Sequence, residues 1–193
     1  RFKVDAVCSE RAIRQIYLKS FEMAVKAGTV KTLMTAYNPI NGHWAASNYD
    51  LCTTILRNEW GYDGIVMTDW WAKMNDVVEG GEESNQDTRD MVSSQNDVYM
   101  VVNNNGAEVN SNNDNTEESI KEGRLTIGEL QRAAINICNF ILSAPVIERE
   151  LVDTDVAKHY DSVPNDQAKY EVFNIEKDNK VMFNSGAEAT LEV

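Results

Sequence analysis

The fold class is indicated most clearly by residues 32–69, TLMTAYNPINGHWAASNYDLCTTILRNEWGYDGIVMTD. Its first part, 32–37, is short and apolar and is closed by turn-forming residues, which predicts a buried strand. Leu and Ile then recur at three- and four-residue steps, which predicts a helix that starts at Ser47 or Asn48. A glycine-flanked turn leads into a second apolar strand, 64–68. Strand, helix and strand in this order are typical of a parallel α/β sheet.

The sequence on both sides continues this alternation. A helical pattern begins at Ser9, its expected N-cap, and stops at Gly28. After the second strand, an irregular acidic stretch precedes a helix from about Asn85 to Ser94 and a third apolar run, 98–102. Three strands are too few for a closed barrel or for an ordinary open sheet, so the pattern fits a piece of a larger α/β domain.

The last third of the chain changes in character. An Asn-rich loop, 103–115, precedes a short helix, and the Thr-x-x-Glu pattern of 126–129 then predicts a capped, core-facing helix that Pro145 closes. Beyond it, charged stretches alternate with short apolar runs at 170–173, 180–183 and 190–193, which predicts two or three strands. We therefore predict two parts: an α/β part, 1–147, and a linker with the start of a β-rich extension, 148–193.

The composition excludes several classes of partner. Of the 193 residues, 31 are acidic and 18 are basic, for a net charge of -13, which argues against nucleic acid and anionic membranes. No apolar run approaches the about 20 residues that a membrane-spanning helix needs. The three cysteines lie far apart with no C-x-x-C spacing, which favours reduced thiols over a metal site and favours the cytoplasm, with secretion still possible. We predict neither a metal nor a cofactor.

The most informative side chains follow the second strand. Asp69 comes directly after it, beside Trp70 and Trp71. A carboxylate at the end of a buried strand loses solvation, which indicates either a functional group or a simple helix cap. Aromatic rings next to polar groups are typical of small-ligand sites, although core packing is the commoner fate of a single Trp. Tyr37, at the end of the first strand, could donate to Asp69 or to a backbone carbonyl.

These motifs resemble the nucleophile region of glycoside hydrolase family 3, the β-glucosidases and their relatives. The resemblance covers about residues 9–147. It is carried by five segments in order, MTAYN at 34–38, NG at 41–42, LRNEWGYDGIVMTDW at 56–70, QNDVYM at 95–100 and LQRAAINIC at 130–138. It implies that the three strands are the sixth, seventh and eighth of a (β/α)8 TIM barrel, followed by a small β-rich segment.

The resemblance also implies a mechanism. Asp69 matches the catalytic nucleophile, Trp70 the aromatic wall beside the reacting sugar, and Met34 and Tyr37 the lining of the same subsite. In this mechanism an ionised carboxylate attacks the anomeric carbon and forms a covalent glycosyl-enzyme. A second carboxylic acid, about 5 Å away, protonates the departing oxygen and then activates water.

Other parts of the family's site have no counterpart in this sequence. The family's sugar-binding Asp, Arg and Lys-His pair come from earlier strands, and His43 and His159 do not match that pair. The second carboxylic acid has no evident match either. Four acidic residues of the predicted strand-end loops are candidates for it, although such residues are more often simply solvated: Glu79, Glu82, Glu83 and Glu108.

Two classes of function follow. The first is hydrolysis of terminal non-reducing β-D-glycosidic bonds by the parent protein, with this chain inactive by itself. The second is a non-catalytic carbohydrate-binding or structural fragment of an α/β protein. In either case the partner is a β-linked oligosaccharide or glycoside, and an uncovered barrel edge predicts self-association of the isolated chain.

Overall fold

The computed structural model describes residues 4–101 and 110–144 in full, and the backbone of residues 180–182 and 190–192. The chain divides into two compact units, Arg1–Phe140 and Ile141–Val193. No helix among the described residues is long and apolar enough to cross a membrane.

The first unit alternates helices and short strands. In chain order its elements are α1 (Glu10–Ala12), a π-helical segment π1 (Ile13–Tyr17), α2 (Lys19–Lys26), β1 (Thr32–Met34), β2 (Pro39–Ile40), β3 (His43–Trp44), a 3-10 turn (Ala45–Ser47), a π-helical segment π2 (Asp50–Glu59), β4 (Ile65–Met67), β5 (Met74–Asp76), β6 (Gly80–Ser84), α3 (Thr88–Ser93), α4 (Thr116–Lys121) and α5 (Ile127–Leu142). This alternation makes it an α/β fold.

Three neighbouring chain segments run parallel. β1 pairs with β4, with Leu33 opposite Val66, and Val98 forms a single parallel bridge to Met67. The predicted strand–helix–strand order is therefore confirmed, but the strands are shorter than predicted. Within the described residues the third apolar run forms no regular strand, and its pairing with β4 is limited to the bridge at Val98. Gly64 lies directly before β4. Only glycine fits there, because an added Cβ would lie 2.3 Å from the carbonyl oxygen of Lys31.

The caps of the helices follow the sequence. The Ser9 hydroxyl accepts a hydrogen bond from the Ala12 N–H at 3.2 Å, and the Asn48 side chain accepts one from the Leu51 N–H at 3.0 Å. The capping box before α5 is also formed, since the Thr126 N–H donates to the Glu129 carboxylate at 2.8 Å. The predicted single helix from Ser9 to Gly28 is interrupted by π1.

Two antiparallel hairpins were not predicted. β2 and β3 meet at Asn41-Gly42, whose φ angles of 52° and 85° are those of a tight two-residue turn. β5 pairs with β6, so the stretch interpreted as irregular and acidic is in fact a hairpin. Its core side is anchored by Asn75, which is buried and whose Oδ1 accepts from the Trp44 N–H at 3.0 Å.

The buried apolar residues form two clusters. One lies under the hairpins and contains Tyr37, Ala72 and Met74. The other lies between π2 and β4 and contains Cys52, Leu56 and Val66. All three cysteines are free thiols, as the sequence predicted.

Apart from residues 141–144, the described part of the second unit is the backbone of one antiparallel hairpin. β7 (Lys180–Met182) pairs with β8 (Thr190–Glu192), with Val181 opposite Leu191. Both strands lie where the sequence predicted them. The strand predicted at 170–173 and the stop at Pro145 lie outside the described residues.

Candidate active site

Asp69 lies two residues after the end of β4, where the parallel ladder ends. Its Oδ1 accepts a hydrogen bond from the Trp70 N–H at 2.7 Å, and its carbonyl oxygen accepts one from the Ala72 N–H at 3.2 Å. The carboxylate is half-buried and is held by its own turn. This orientation suits a group that must present an oxygen atom in one direction.

The chain on both sides of Asp69 is tied to the third parallel segment. The Thr68 N–H donates to the Val98 carbonyl at 2.9 Å, and the Thr68 Oγ1 accepts from the Met100 N–H at 3.0 Å. On the other side, the Trp71 N–H donates to the Met100 carbonyl at 3.0 Å. Asp69 therefore lies in a short loop that is fixed at its two ends.

The turn carries backbone strain at Trp71. Its φ angle is 55°, a left-handed conformation that bulky residues rarely adopt. This conformation accompanies the hydrogen bond from Trp71 to Met100, which closes the loop around Asp69. Strained residues of this kind cluster at functional sites, where the surrounding structure maintains them.

Both indoles beside Asp69 are exposed. Trp70 exposes 45% of its surface and Trp71 exposes 40%. Core packing, the alternative that the sequence left open, is therefore wrong for both. An exposed indole directly after a strand-end carboxylate is a surface on which the apolar face of a sugar ring can stack.

Tyr37 and Met34 lie on the neighbouring segment. Tyr37 is buried in the cluster that also contains Ala72, three residues after Asp69, so the structure brings it to the Asp69 turn. Met34 is exposed and lies opposite Met67 in the β1–β4 pair. The bond from Tyr37 to Asp69 stays a prediction.

The sequence missed Tyr99, which supports this turn from the third segment. Its hydroxyl lies 2.6 Å from the Asn85 carbonyl and 3.3 Å from the Ala72 carbonyl. Burial raises the pKa of Tyr99 to about 12, so it remains a neutral donor. A Tyr in an apolar run was the available signal, but its partners are distant in sequence.

Three of the four acidic candidates for the second carboxyl group, Glu79, Glu82 and Glu83, lie on or near the β5–β6 hairpin. Glu79, Glu82 and Glu83 are exposed, and Glu108 lies outside the described residues. The Lys73 ammonium lies 2.8 Å from the Glu83 carboxylate and lowers the pKa of Glu83. The ammonium of Lys73 thus favours the ionised form of Glu83. Within the described residues, no group of three or more His, Cys, Asp or Glu side chains could hold a metal ion.

Residues 4–140 match the model of the glycosyl hydrolase family 3 N terminal domain. The chain belongs to this family. The matched range contains all three parallel segments and the Asp69 turn, and it makes up more than half of the chain.

Three relatives illustrate the relationship. The chain is 44% identical to a β-glucosidase of Ruminococcus albus, over 82% of the chain and 16% of that protein. It is 32% identical to an exo-α-(1→6)-L-arabinopyranosidase of Bifidobacterium breve, over 94% of the chain and 22% of that protein. The crystal structure of a β-glucosidase from Paenibacillus barengoltzii matches with a TM-score of 0.75 and 67% identity, over 80% of the chain and 17% of that protein. The chain thus spans about a fifth or less of each of these relatives.

Proposed function

We propose that the protein containing this chain is a retaining β-glucosidase-like hydrolase that uses Asp69 as its nucleophile. In this proposal β1, β4 and the segment at Val98 are the sixth, seventh and eighth strands of a (β/α)8 barrel. The observation that carries it is the position of Asp69: a half-buried carboxylate at the end of the central of three parallel segments, next to an exposed indole. Strand ends of this kind carry the catalytic groups of such barrels.

The geometry of Asp69 suits the first chemical step. A carboxylate oxygen must form a bond to the anomeric carbon while the glycosidic C–O bond breaks and the departing oxygen takes a proton from a carboxylic acid. Because the Trp70 N–H holds Oδ1 at 2.7 Å, the second oxygen, Oδ2, is the one that remains available for attack. Water, which gives a proton to the conjugate base of the acid, then hydrolyses the ester with a second inversion. The released sugar therefore has the anomeric configuration of the substrate.

The neighbouring residues suit the binding of a sugar. Trp70 offers an exposed indole for one face of the pyranose ring, and Met34 and Tyr37 lie on the adjacent strand end. In the proposal these three residues bind the substrate and Asp69 alone reacts. The remaining sugar ligands and the acid belong to other parts of the protein.

A mechanism-based label tests the proposal directly. We expect the complete protein, treated with 2,4-dinitrophenyl 2-deoxy-2-fluoro-β-D-glucoside, to become covalently labelled on Asp69. The fluorine slows both formation and hydrolysis of the glycosyl-enzyme, whereas the dinitrophenolate leaving group speeds its formation alone, so the glycosyl-enzyme accumulates. Peptide mass spectrometry locates the label. The matched control is Asp69→Asn, which should remain unlabelled.

Two outcomes would contradict the assignment. Label on another carboxylate would remove Asp69 from the nucleophile role. Turnover of a 4-nitrophenyl α-L-arabinopyranoside but not of the β-glucoside would contradict the proposed substrate, since the Bifidobacterium relative is named an arabinopyranosidase.

The 193-residue chain by itself should hydrolyse neither substrate. Binding without turnover by the complete protein would favour the non-catalytic alternative.

The isolated chain should also self-associate. β1 has β4 on one side, and large apolar side chains near it are exposed, including Met34 at 53%, Phe21 at 48% and Tyr17 at 63%. Exposed apolar surface and open strand edges favour pairing between copies. We expect light scattering to give a mass above that of one chain at high concentration. A monodisperse monomer would contradict this expectation.

A further inference from the structure

One residue, Met100, holds the chain on both sides of Asp69. Its N–H donates to the Thr68 Oγ1 at 3.0 Å, and its carbonyl oxygen accepts from the Trp71 N–H at 3.0 Å. The position of Asp69 relative to the neighbouring parallel segment therefore depends on both peptide groups of Met100. Of the two bonds, only the one to Thr68 involves a side chain.

Thr68 holds its hydroxyl in a buried position beside the Met100 N–H. The residue has no exposed surface, and the hydroxyl takes the place of the backbone acceptor that a regular ladder would offer to the Met100 N–H. A valine would fill the same volume but leave that N–H buried without its acceptor, which costs about 1–3 kcal/mol. The loop that carries Asp69 would then lose one of the two bonds that hold it to Met100.

We propose that Thr68 is a positioning residue for the reaction of Asp69: its hydroxyl fixes Met100, and Met100 in turn fixes the loop that carries the nucleophile. This inference rests on the proposed function. Thr68 needs no contact with the sugar for this role. Loss of its hydroxyl should therefore change the approach of the Asp69 oxygen to the anomeric carbon and leave sugar binding unchanged.

The test compares Thr68→Val with Thr53→Val in the complete protein. Thr53 is equally suited to the substitution, since it is 2% exposed and its hydroxyl donates to the Ser94 carbonyl at 2.8 Å, but it lies in π2. For Thr68→Val we expect kcat to fall by roughly 10- to 100-fold with KM within about twofold, since a displacement of about 1 Å can cost 100-fold. Thr53→Val should keep kcat within about threefold.

Two further variants separate positioning from a general loss of stability. Thr68→Ser keeps the hydroxyl and should restore most of kcat and most of the labelling rate with the fluoroglucoside. Thr68→Ala, which removes both the hydroxyl and the methyl group, should lower kcat by a similar factor and takes the place of Thr68→Val if that variant fails to fold. The positioning role is wrong if Thr68→Val loses no more kcat than Thr53→Val, or if Thr68→Ser is as slow as Thr68→Val.

Failure of the proposed function has a different signature. If the unsubstituted protein hydrolyses no glycoside, the proposed function fails and the positioning role fails with it. If the unsubstituted protein is active and the two valine variants behave alike, only the positioning role fails.

Discussion

Replacement of Asp69 by glycine should abolish turnover of 4-nitrophenyl β-D-glucoside, with a loss in kcat of at least about 10⁴-fold. The reason is that in the proposed mechanism Asp69 forms the bond to the anomeric carbon, and glycine has no side chain that could form it. Its carboxylate is fixed by the Trp70 N–H at 2.7 Å, and the loop is fixed to Met100 on both sides. The bonds that hold the loop to Met100 come from Thr68 and Trp71 and not from the Asp69 side chain, so the fold of the loop should survive the substitution.

Azide provides the decisive second measurement. In Asp69→Gly the space left by the carboxylate can admit a small anion, which attacks an activated 2,4-dinitrophenyl β-glucoside from the same face. The product should be the α-glucosyl azide, with the configuration inverted, because one displacement replaces two. Nuclear magnetic resonance of the product identifies the anomer.

The matched control is Asp63→Gly. Asp63 is an exposed carboxylate that pairs with Lys31 at 2.8 Å before β4, so its loss should leave kcat within about threefold. Residual activity of Asp69→Gly similar to that of Asp63→Gly would show that another residue is the nucleophile. A β-configured azide product would contradict direct attack at the vacated position.

Much of the fold could be predicted because its signals are local. Ser9, Asn48 and the box of Thr126 and Glu129 cap helices through bonds that span three residues, and a sequence shows such spacings directly. The two strands on either side of π2 are similarly marked by short apolar runs between turn formers. Their pairing follows from the parallel rule for strand, helix and strand.

The β5–β6 hairpin could not be predicted in this way. β6 has the sequence Gly-Gly-Glu-Glu-Ser, whose residues have low strand propensity, so tertiary contacts must hold it. One is the bond from the Asn75 Nδ2 to the Gly42 carbonyl at 2.9 Å, across 33 residues, and another is the ion pair of Lys73 with Glu83. Contacts between residues that lie this far apart in the sequence cannot be recognised from a local pattern.

The same contrast between local signals and distant contacts applies to the residues of the candidate site. Asp69 and Trp70 could be named because they form a contiguous motif at the end of an apolar strand. Thr68 could not, since its role depends on the Met100 N–H, 32 residues away. A buried hydroxyl within the apolar strand was the only local signal, and it indicates a hydrogen bond without naming the partner.

Breaking the buried ion pair of Arg57 and Asp97 should destabilise the protein more than breaking any other ion pair among the described residues. The Arg57 Nη2 lies 2.6 Å from the Asp97 Oδ2, with side-chain exposures of 8% and 0%. The same Oδ2 accepts from the Val66 N–H of β4 at 2.9 Å, and Oδ1 accepts from the Asn136 amide of α5 at 2.8 Å. One carboxylate thus joins π2, β4 and α5.

We expect Asp97→Asn to lower the free energy of unfolding of the complete protein by about 3–5 kcal/mol, measured by urea unfolding at pH 7. The substitution keeps the shape of the side chain but leaves the Arg57 charge buried without its counter-charge. It also places an NH₂ group against groups that are themselves donors, the Val66 N–H and the Asn136 amide. A donor that faces a donor in a buried site costs the desolvation of both.

Asp63→Asn is the matched control, because it removes the same charge from a pair whose carboxylate side chain is 75% exposed. Solvent screens that pair, so its loss should cost less than about 1 kcal/mol. A double-mutant cycle with Arg57→Met then isolates the pair itself: the double variant should lose less than the sum of the single variants, by about 1–3 kcal/mol. Additive losses would mean that Asp97 acts through Val66 and Asn136 alone. A loss for Asp97→Asn as small as that for Asp63→Asn would mean that water reaches the carboxylate, and that the three elements are joined by apolar packing instead.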